Sequence, residues 1–203
     1  MFDTREKRER SVGTKLFLKA HRCNSPKCVT MRRSQRPGQH GKNYKSLSEF
    51  GQQVKEKQKI RFTYGIREGQ MKMLVGKAIK NPGVTGEVIM QMLERRLDNT
   101  VFRMGLAPSR SVARQIVNHG HIIVNKHRTN IPSYQVRVND VVTIRPQSRE
   151  YVMFKDLGEK LKKHDAPSWV KVDPDKLEGK VIGVPKDLDN SFDVNMVVDY
   201  YSK

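Results

Sequence analysis

Hydrophobic residues recur at helical spacing about a quarter of the way along the chain. Leu47, Phe50 and Val54 stand at i, i+3 and i+7, which predicts a helix whose first turn is capped by Ser46 or Ser48. The helix continues through VKEKQKIRFTYGI, whose lysines and arginine make a dense basic surface. The pattern therefore predicts an α-helix with one face on an apolar core.

Two more helices follow in the same region. GQMKMLVGKAIK predicts a helix that ends at Asn81-Pro82-Gly83, because proline and glycine interrupt helices. Thr85 begins a third helix whose apolar face continues well beyond residue 93. The residues on that face are Val88, Met92, Leu97, Val101 and Met104. We predict a helical domain over residues 46–93.

From residue 94 to 150 the pattern predicts two helices packed on a short antiparallel sheet. The second helix ends at Gly120, which suits a left-handed cap position. Residues 121–124 and 129–131 are predicted to form two short strands joined by the four-residue turn between them. Residues 141–144 predict a further strand. This region is therefore expected to form a small module with its own core.

The two ends of the chain are less regular. Residues 1–45 hold few apolar positions and many turn formers, which predicts a basic arm that is disordered or ordered by its partner. Residues 151–203 give one helical run and several turns, and we expect them to pack on the helical domain. The predicted fold class is α+β: a helical domain plus the small module, with a basic N-terminal arm.

The charge of the chain points to a polyanionic partner. Lys and Arg total 40 against 21 Asp and Glu, a net charge of +19, and residues 1–61 alone hold 17 basic and 5 acidic residues. The N-terminus lacks the apolar core of a signal peptide, and no apolar span of roughly 20 residues is present. Nucleic acid is therefore favoured over a membrane. Residues 151–203, with 9 basic and 10 acidic residues, are not expected to face it.

The predicted hairpin is the most informative candidate surface. Arg110 and Arg114 share a helix face at i and i+4. Hydrogen-bond donors cluster at the hairpin turn without a carboxylate: Asn125, Lys126, His127, Arg128 and Asn130. Together they predict a concave basic surface for the phosphates of a folded RNA. A solvated charged turn is the alternative.

Two histidines flank Gly120. His119 and His121 could bind zinc on one strand face, but a helix end at Gly120 points the two rings in different directions. No neighbouring cysteine or acidic cluster completes a coordination sphere. We expect His119 to meet the helix C-terminal carbonyls and His121 to hydrogen-bond phosphate or ribose.

The two cysteines are a second candidate for zinc binding. Cys23 and Cys28 are spaced C-x4-C, and His21 and His40 could complete a zinc site, with free thiols as the alternative. No P-loop, zinc-protease or nucleophile-elbow motif is present. We predict no cofactor, no bound metal and no enzymatic activity.

Several motifs together resemble the S4 family of small-subunit ribosomal proteins, of the bacterial and organellar type. They are, in order, RPGQHG, VKEKQKIRFTYGI, LERRLDNTVFRMG, SRSVARQIVNHGHIIVN, IPSYQVRVNDVV and YYSK. The resemblance extends from about Gly13 to the last residue. It implies that residues 94–150 form the family's RNA-binding module. It also implies a structural constituent of the small subunit, in cytoplasmic or organellar ribosomes.

The resemblance further implies specific partners. Such proteins bind the 5′ domain of small-subunit rRNA at a multi-helix junction early in assembly, and later line the path by which messenger RNA (mRNA) enters. The acidic C-terminal segment would meet a neighbouring small-subunit protein, and no membrane is involved. An RNA-modifying enzyme of the pseudouridine synthase type, which carries the same module, is the alternative.

The resemblance implies which residues bind RNA, to which the hairpin pattern adds Lys126 and Arg128. In the front half they are Arg36, Gln39, His40, Lys57, Gln58, Lys59 and Tyr64, with Lys42 and Lys45 placed toward mRNA. In the module they are Arg95, Arg96, Asn99, Arg103, Ser109, Arg110, Arg114, Gln115, His119, His121, Asn125 and Tyr134.

Two features depart from the family's pattern. Some relatives hold zinc with four cysteines, whereas Glu6 and Glu9 stand here where the first pair would be. Many relatives have Asn-Gly at the hairpin turn, where both residues need positive φ. Lys126 replaces that glycine, so we expect backbone strain at the turn.

Overall fold

The computed structural model describes residues 4–43, 46–186 and 191–202, without the side chains of Thr4, Ala20 and His21. The chain divides into two compact units. We call residues 1–88 with 189–203 the helical unit, and residues 89–188 the sheet unit. No helix within the described ranges is long and apolar enough to cross a membrane.

The helical unit is built from seven helices in the described residues. They are α1 (Thr4–Val12), α2 (Ala20–Cys23), α3 (Val29–Arg32), α4 (Glu49–Tyr64), α5 (Glu68–Ile79) and α6 (Thr85–Glu94), whose later residues belong to the sheet unit; α11 (Val194–Ser202) closes the chain. Of these, α4, α5 and the start of α6 lie where the sequence pattern predicts. The Ser48 hydroxyl caps α4 by accepting the Gly51 N–H at 3.2 Å. Gly65 ends that helix with φ +64°, which favours glycine.

The face that α4 buries differs from the predicted one. Phe50 is 57% exposed, whereas the polar side chains of Gln53, Lys57 and Thr63 are buried beside Ile60. α11 packs along α4, and its Tyr200 ring lies 3.9 Å from Lys57 Nζ. Gln53 and Thr63 hydrogen-bond within α4, to Glu49 and to the Lys59 carbonyl. Hydrophobic spacing could not reveal this, because the partner helix lies more than a hundred residues away in sequence.

The N-terminal arm folds within the helical unit, where we expected disorder or order imposed by a partner. α1 packs against α3 and α4. Val12, Leu16 and Cys28 are buried at 1%, 7% and 2% exposure. A few well-placed apolar side chains are enough here because the long helix α4 supplies a surface to pack on.

The sheet unit surrounds one continuous apolar core. Its helices are α7 (Leu97–Arg103), α8 (Arg110–Asn118), α9 (Val152–Lys155) and α10 (Leu157–Lys162), with a 3₁₀ turn at Pro146–Ser148. Its strands are β1 (Ile122–Val124), β2 (His127–Arg128), β3 (Val141–Ile144), β4 (Val170–Asp173) and β5 (Glu178–Val181). In the described residues the strand order is β2-β1-β3-β5-β4, and every paired neighbour is antiparallel. The α+β fold class is confirmed.

The structure corrects three predicted elements. The helix expected from Thr85 to Met104 is broken, because Arg96 is extended and pairs with Gln135 as an isolated bridge. The hairpin turn has two residues rather than four, with φ +48° at Asn125 and +69° at Lys126. Residues 129–131, predicted as the second strand of the hairpin, lie outside the strands, and so do Val136 and Val138, whose apolar side chains also predict a strand.

The C-terminal segment also differs from expectation. We expected residues 151–203 to pack on the helical domain, but Phe154, Trp169 and Val181 lie in the core of the sheet unit. β5 pairs with β3 and extends the module's sheet. α11, by contrast, packs on α4 and α5 of the helical unit. The strands β4 and β5 escaped prediction because lysines, acids and a glycine interrupt their apolar pattern.

Candidate RNA-binding site

Two buried carboxylates organise the arginines of the sheet unit. Glu94 and Asp98 are 1% and 4% exposed, although the module around them is strongly basic. They lie on either side of the break between α6 and α7, Glu94 at the end of α6 and Asp98 in the first turn of α7. Sequence analysis missed both. The available signal was two acids inside an otherwise apolar and basic stretch.

Glu94 holds Arg103 by two parallel hydrogen bonds. Nε and one terminal nitrogen of Arg103 donate to the two carboxylate oxygens at 2.8 and 2.9 Å. The Asn99 amide donates to the same carboxylate at 2.9 Å, and its oxygen accepts from Arg110 Nε at 2.8 Å. The Arg110 guanidinium also lies 4.6 Å from the Phe102 ring centroid. The network therefore fixes Arg103 and Arg110, which remain partly exposed.

Asp98 anchors a second pair of arginines. Its two oxygens accept from Arg96 at 3.1 and 2.8 Å, and Oδ1 also accepts the Asn99 N–H at 2.9 Å. Arg114 reaches the same carboxylate at 3.8 Å from α8. Because Arg96 is only 3% exposed, it supports the site from within, whereas Arg114 is 35% exposed.

The hairpin turn presents its lysine on a fixed base. Asn125 donates to Asp140 Oδ1 at 2.8 Å and accepts the Val141 N–H at 2.9 Å, which ties the turn to the start of β3. Lys126 is exposed with φ +69°, so the strain expected at this position is present. The Arg128 guanidinium lies so close to Gly120 that a Cβ there would collide with it.

The two histidine rings lie close together, contrary to the prediction that they point apart. Their centroids are 5.9 Å apart, because His119 ends α8 and the chain reverses at Gly120, which has φ +72°. His121 Nδ1 lies 2.9 Å from the Ser148 hydroxyl. Burial, then the charges of His119, Arg128 and Arg145, lowers the pKa of His121 below its ordinary value.

In the helical unit, residues 36–43 form a compact loop that we call the basic loop. Arg10 Nε donates to the carbonyls of Arg33 and Gln35 at 3.1 and 3.0 Å and so holds its entrance. A Cβ at Gly41 would collide with the Arg36 carbonyl oxygen, so this position requires glycine. The close approach explains the second glycine of RPGQHG.

A cavity of about 580 Å³ opens beside the basic loop. Its lining includes four cations, Arg10, Arg36, Lys42 and Lys55. Sequence analysis selected Arg36 and Lys42, and missed Arg10 and Lys55. Lys45 lies outside the described residues. The cavity has the charge and size to take a stretch of phosphate backbone.

Two residues selected in the helical unit are buried instead of presented. Lys57 is 6% exposed, donates to Glu68 at 2.9 Å, and lies 3.9 Å from the Tyr200 ring centroid. Tyr64 is 4% exposed and packs near Phe192, with centroids 6.4 Å apart. Lys57 therefore joins α4 to α11, Tyr64 packs near a residue that shortly precedes α11, and neither side chain reaches the surface in this conformation.

The selected residues fall into three groups by exposure. Those exposed are Arg36, Gln39, His40, Lys42, Gln115, His119, Asn125, Lys126 and Arg128. Those partly exposed are Gln58, Lys59, Arg95, Arg103, Ser109, Arg110, Arg114, His121 and Tyr134. Those buried are Lys57, Tyr64, Arg96 and Asn99. Only the residues of the first two groups present their side chains to solvent.

Both cysteines are free thiols, and each is buried. Cys23 Sγ lies 3.8 Å from Glu9 Oε1, and burial is the main cause that raises the pKa of this thiol. Glu6 pairs with Arg22 at 2.8 Å. Across the described residues, no group of three metal-binding side chains comes together. The acids that replace the first cysteine pair thus have polar partners within the protein.

Comparison with known proteins places the whole chain in one family. A family model described as the ribosomal protein S4/S9 N-terminal domain matches residues 3–94, and the S4 domain matches residues 95–142. The chain belongs to the uS4 family. The proteins named small ribosomal subunit protein uS4 from Acetivibrio thermocellus and Heliobacterium modesticaldum are 46% and 44% identical to it over 196 residues. Each match covers 96% of this chain and 94% of the relative.

Sequence analysis left two functions open, a structural ribosomal protein and an RNA-modifying enzyme, and membership of the uS4 family distinguishes them. A third relative of the same name, from Magnetococcus marinus, is 44% identical over the same share of both chains. The uS4 relatives are named as constituents of the small ribosomal subunit, and this chain is a ribosomal protein with an RNA-binding S4 domain, not an RNA-modifying enzyme.

Proposed function

We propose that this uS4 protein binds the 5′ domain of small-subunit rRNA directly, at a junction of several RNA helices, and nucleates assembly there. The observation that carries the proposal is the set of arginines held by Glu94 and Asp98. Anchoring their side chains before RNA arrives lowers the entropy lost on binding. Exposed arginine donors match phosphate oxygens.

The mechanism is electrostatic and geometric. Arg103, Arg110 and Arg114 of the sheet unit, with Lys126 and Arg128 of its hairpin, neutralise phosphates and release counterions. Phosphate contacts set the position and orientation of the RNA rather than read its bases. A rigid surface of this kind selects an RNA by its folded shape, which suits a junction.

The basic loop is proposed to bind a second phosphate run and, in the finished subunit, to lie along the mRNA path. Arg36 and Lys42 are exposed beside the 580 Å³ cavity. The acidic C-terminal segment is proposed to meet a neighbouring small-subunit protein. Asp193 and Asp199 are exposed there, whereas Asp187 and Asp189 lie outside the described residues.

The test is a binding titration with a transcript of the 5′ domain at three salt concentrations. A double variant, Lys126→Gln with Arg128→Gln, removes two charges from the hairpin. Lys160→Gln with Lys162→Gln removes two exposed charges from α10 of the same unit. We expect the hairpin variant to lose at least tenfold in affinity and about two units of salt slope. The α10 variant should bind like the parent protein.

Two results would overturn the proposal. The first is binding of the transcript no tighter than binding of a random RNA of equal length. The second is equal loss from both double variants, which would show that only net charge matters. A photoreactive group attached at Lys42→Cys in assembled subunits should crosslink to mRNA. Absence of this crosslink would refute the proposal that the basic loop lies along the mRNA path.

A further inference from the structure

Phe17 has an unusual backbone and an unusual exposure. Its φ is +52°, in the left-handed region that bulky side chains rarely adopt, and its side chain is 53% exposed. Strained residues of this kind persist only when the surrounding structure holds them, and they concentrate at ligand-contacting positions. The ring thus gains neither burial nor a relaxed backbone.

The residues on both sides of Phe17 are held by one buried carboxylate. Glu9 is 2% exposed, and its Oε1 accepts the N–H groups of Leu16 at 3.3 Å and Leu18 at 3.0 Å. Leu16 is itself buried at 7% exposure. Because the backbone is fixed before and after it, the Phe17 ring is presented outward from a rigid support.

The chain around Phe17 is cationic. Residues 4–43 hold 12 Lys and Arg against two acids, Glu6 and Glu9. Glu9 is buried, and Glu6 pairs with Arg22 at 2.8 Å and Lys19 at 3.7 Å. Neither carboxylate is therefore left to repel an anion. An exposed aromatic ring in a strongly cationic segment is a combination typical of proteins that bind nucleic acid with accessible bases.

We propose that Phe17 stacks on an unpaired base of the small-subunit rRNA, an inference that rests on the proposed function. Phosphates beside that base would meet lysines and arginines of the same segment, of which Lys15 and Lys19 are two residues from Phe17 in the sequence. The stacking contact would tolerate any base, because every base has a π face. Phe17 would thus mark a looped-out or junction nucleotide, while the sheet unit contacts phosphates.

The experiment measures affinity for the 5′-domain transcript with three variants. Phe17→Leu keeps an apolar side chain and the backbone strain but removes the aromatic face, and about tenfold weaker binding is expected. The salt slope should not change, since no charge is lost. Met31→Leu, at a 71% exposed position in the same basic segment, is the matched control and should bind normally. Phe17→Asn should raise the thermal midpoint yet weaken binding, because asparagine tolerates this backbone.

A fluorescent variant reports the contact directly. Phe17→Trp should keep the affinity, and its emission should be quenched on RNA binding, while the native Trp169, 3% exposed, provides a constant background. Unchanged affinity of Phe17→Leu with the parent protein binding tightly would overturn this inference alone. Normal RNA binding by Phe17→Leu with poor incorporation into subunits would assign the ring to a protein partner instead. If the parent protein fails to select the transcript, both proposals fall.

Discussion

Replacing Asp98 by Asn should unfold the sheet unit far more easily than an ordinary buried Asp→Asn change. The substitution preserves shape but removes the negative charge that faces Arg96, and Arg96 is only 3% exposed. Two charges about 4 Å apart interact by about 4 kcal/mol at an effective dielectric constant of about 20. Breaking one side of a buried ion pair costs about 3 to 5 kcal/mol. We expect a loss in that range.

The assay is urea unfolding followed by the fluorescence of Trp169, which lies in the core of the same unit. Asp140→Asn is the matched control, because Asp140 is 7% exposed but accepts from two neutral donors, the Asn125 amide and the Arg137 N–H, each at 2.8 Å. Its cost should be about 1 to 2 kcal/mol. The midpoint should move at constant slope if only stability changes.

The buried ion pair of Asp98 and Arg96 also predicts the stability of a double variant. In the double variant with Arg96→Met, no cation is left buried without its counterion, so Asp98→Asn should cost much less there than in the parent protein. If Asp98→Asn costs no more than Asp140→Asn, or if the two changes are simply additive, the proposed support of the arginine surface is refuted.

Three further predictions concern single contacts. Tyr201 donates to Glu68 at 2.5 Å, so Tyr201→Phe should lower the free energy of unfolding by about 1 kcal/mol; unchanged urea unfolding would contradict this. Lys126→Gly should stabilise the hairpin by about 1 kcal/mol by relieving the positive φ, which a calorimetric scan checks. The same variant should bind RNA more weakly, with a salt slope smaller by about one, which a titration at several salt concentrations checks. The lowered pKa of His121 implies that its stabilisation is complete above about pH 6.5 and is lost as pH falls below that value. Unfolding free energies at pH 7.5 and 5.0 should therefore differ less in His121→Asn than in the parent protein, and equal differences would exclude this role.

Local patterns in the sequence were sufficient for the elements that have strong end signals. Ser48, a predicted cap, begins α4, and Gly120, a predicted left-handed position, follows the end of α8, because caps and left-handed turns depend on a few adjacent residues. The same is true of the basic loop, where Gly41 is required by contact with a residue five positions away.

The candidate site was only partly visible in the sequence. The exposed cations of the hairpin and of the basic loop were selected from charge and spacing. Whether a given lysine or arginine is presented or enclosed depends on its partners, so Lys57 and Arg96 could not be separated from the rest. Their partners, Glu68 and Asp98, carry no local signal of that pairing.

The sequence by itself determined the class of fold, the excess of positive charge and the family, since these follow from periodicity, composition and several independent motifs. Only the tertiary structure decided which cations are exposed, that β4 and β5 extend the module's sheet, and that Glu94 and Asp98 hold the arginines in position. The physical reason is that burial and ion pairing join residues distant in sequence. Their energies depend on three-dimensional surroundings that no short window of the chain contains.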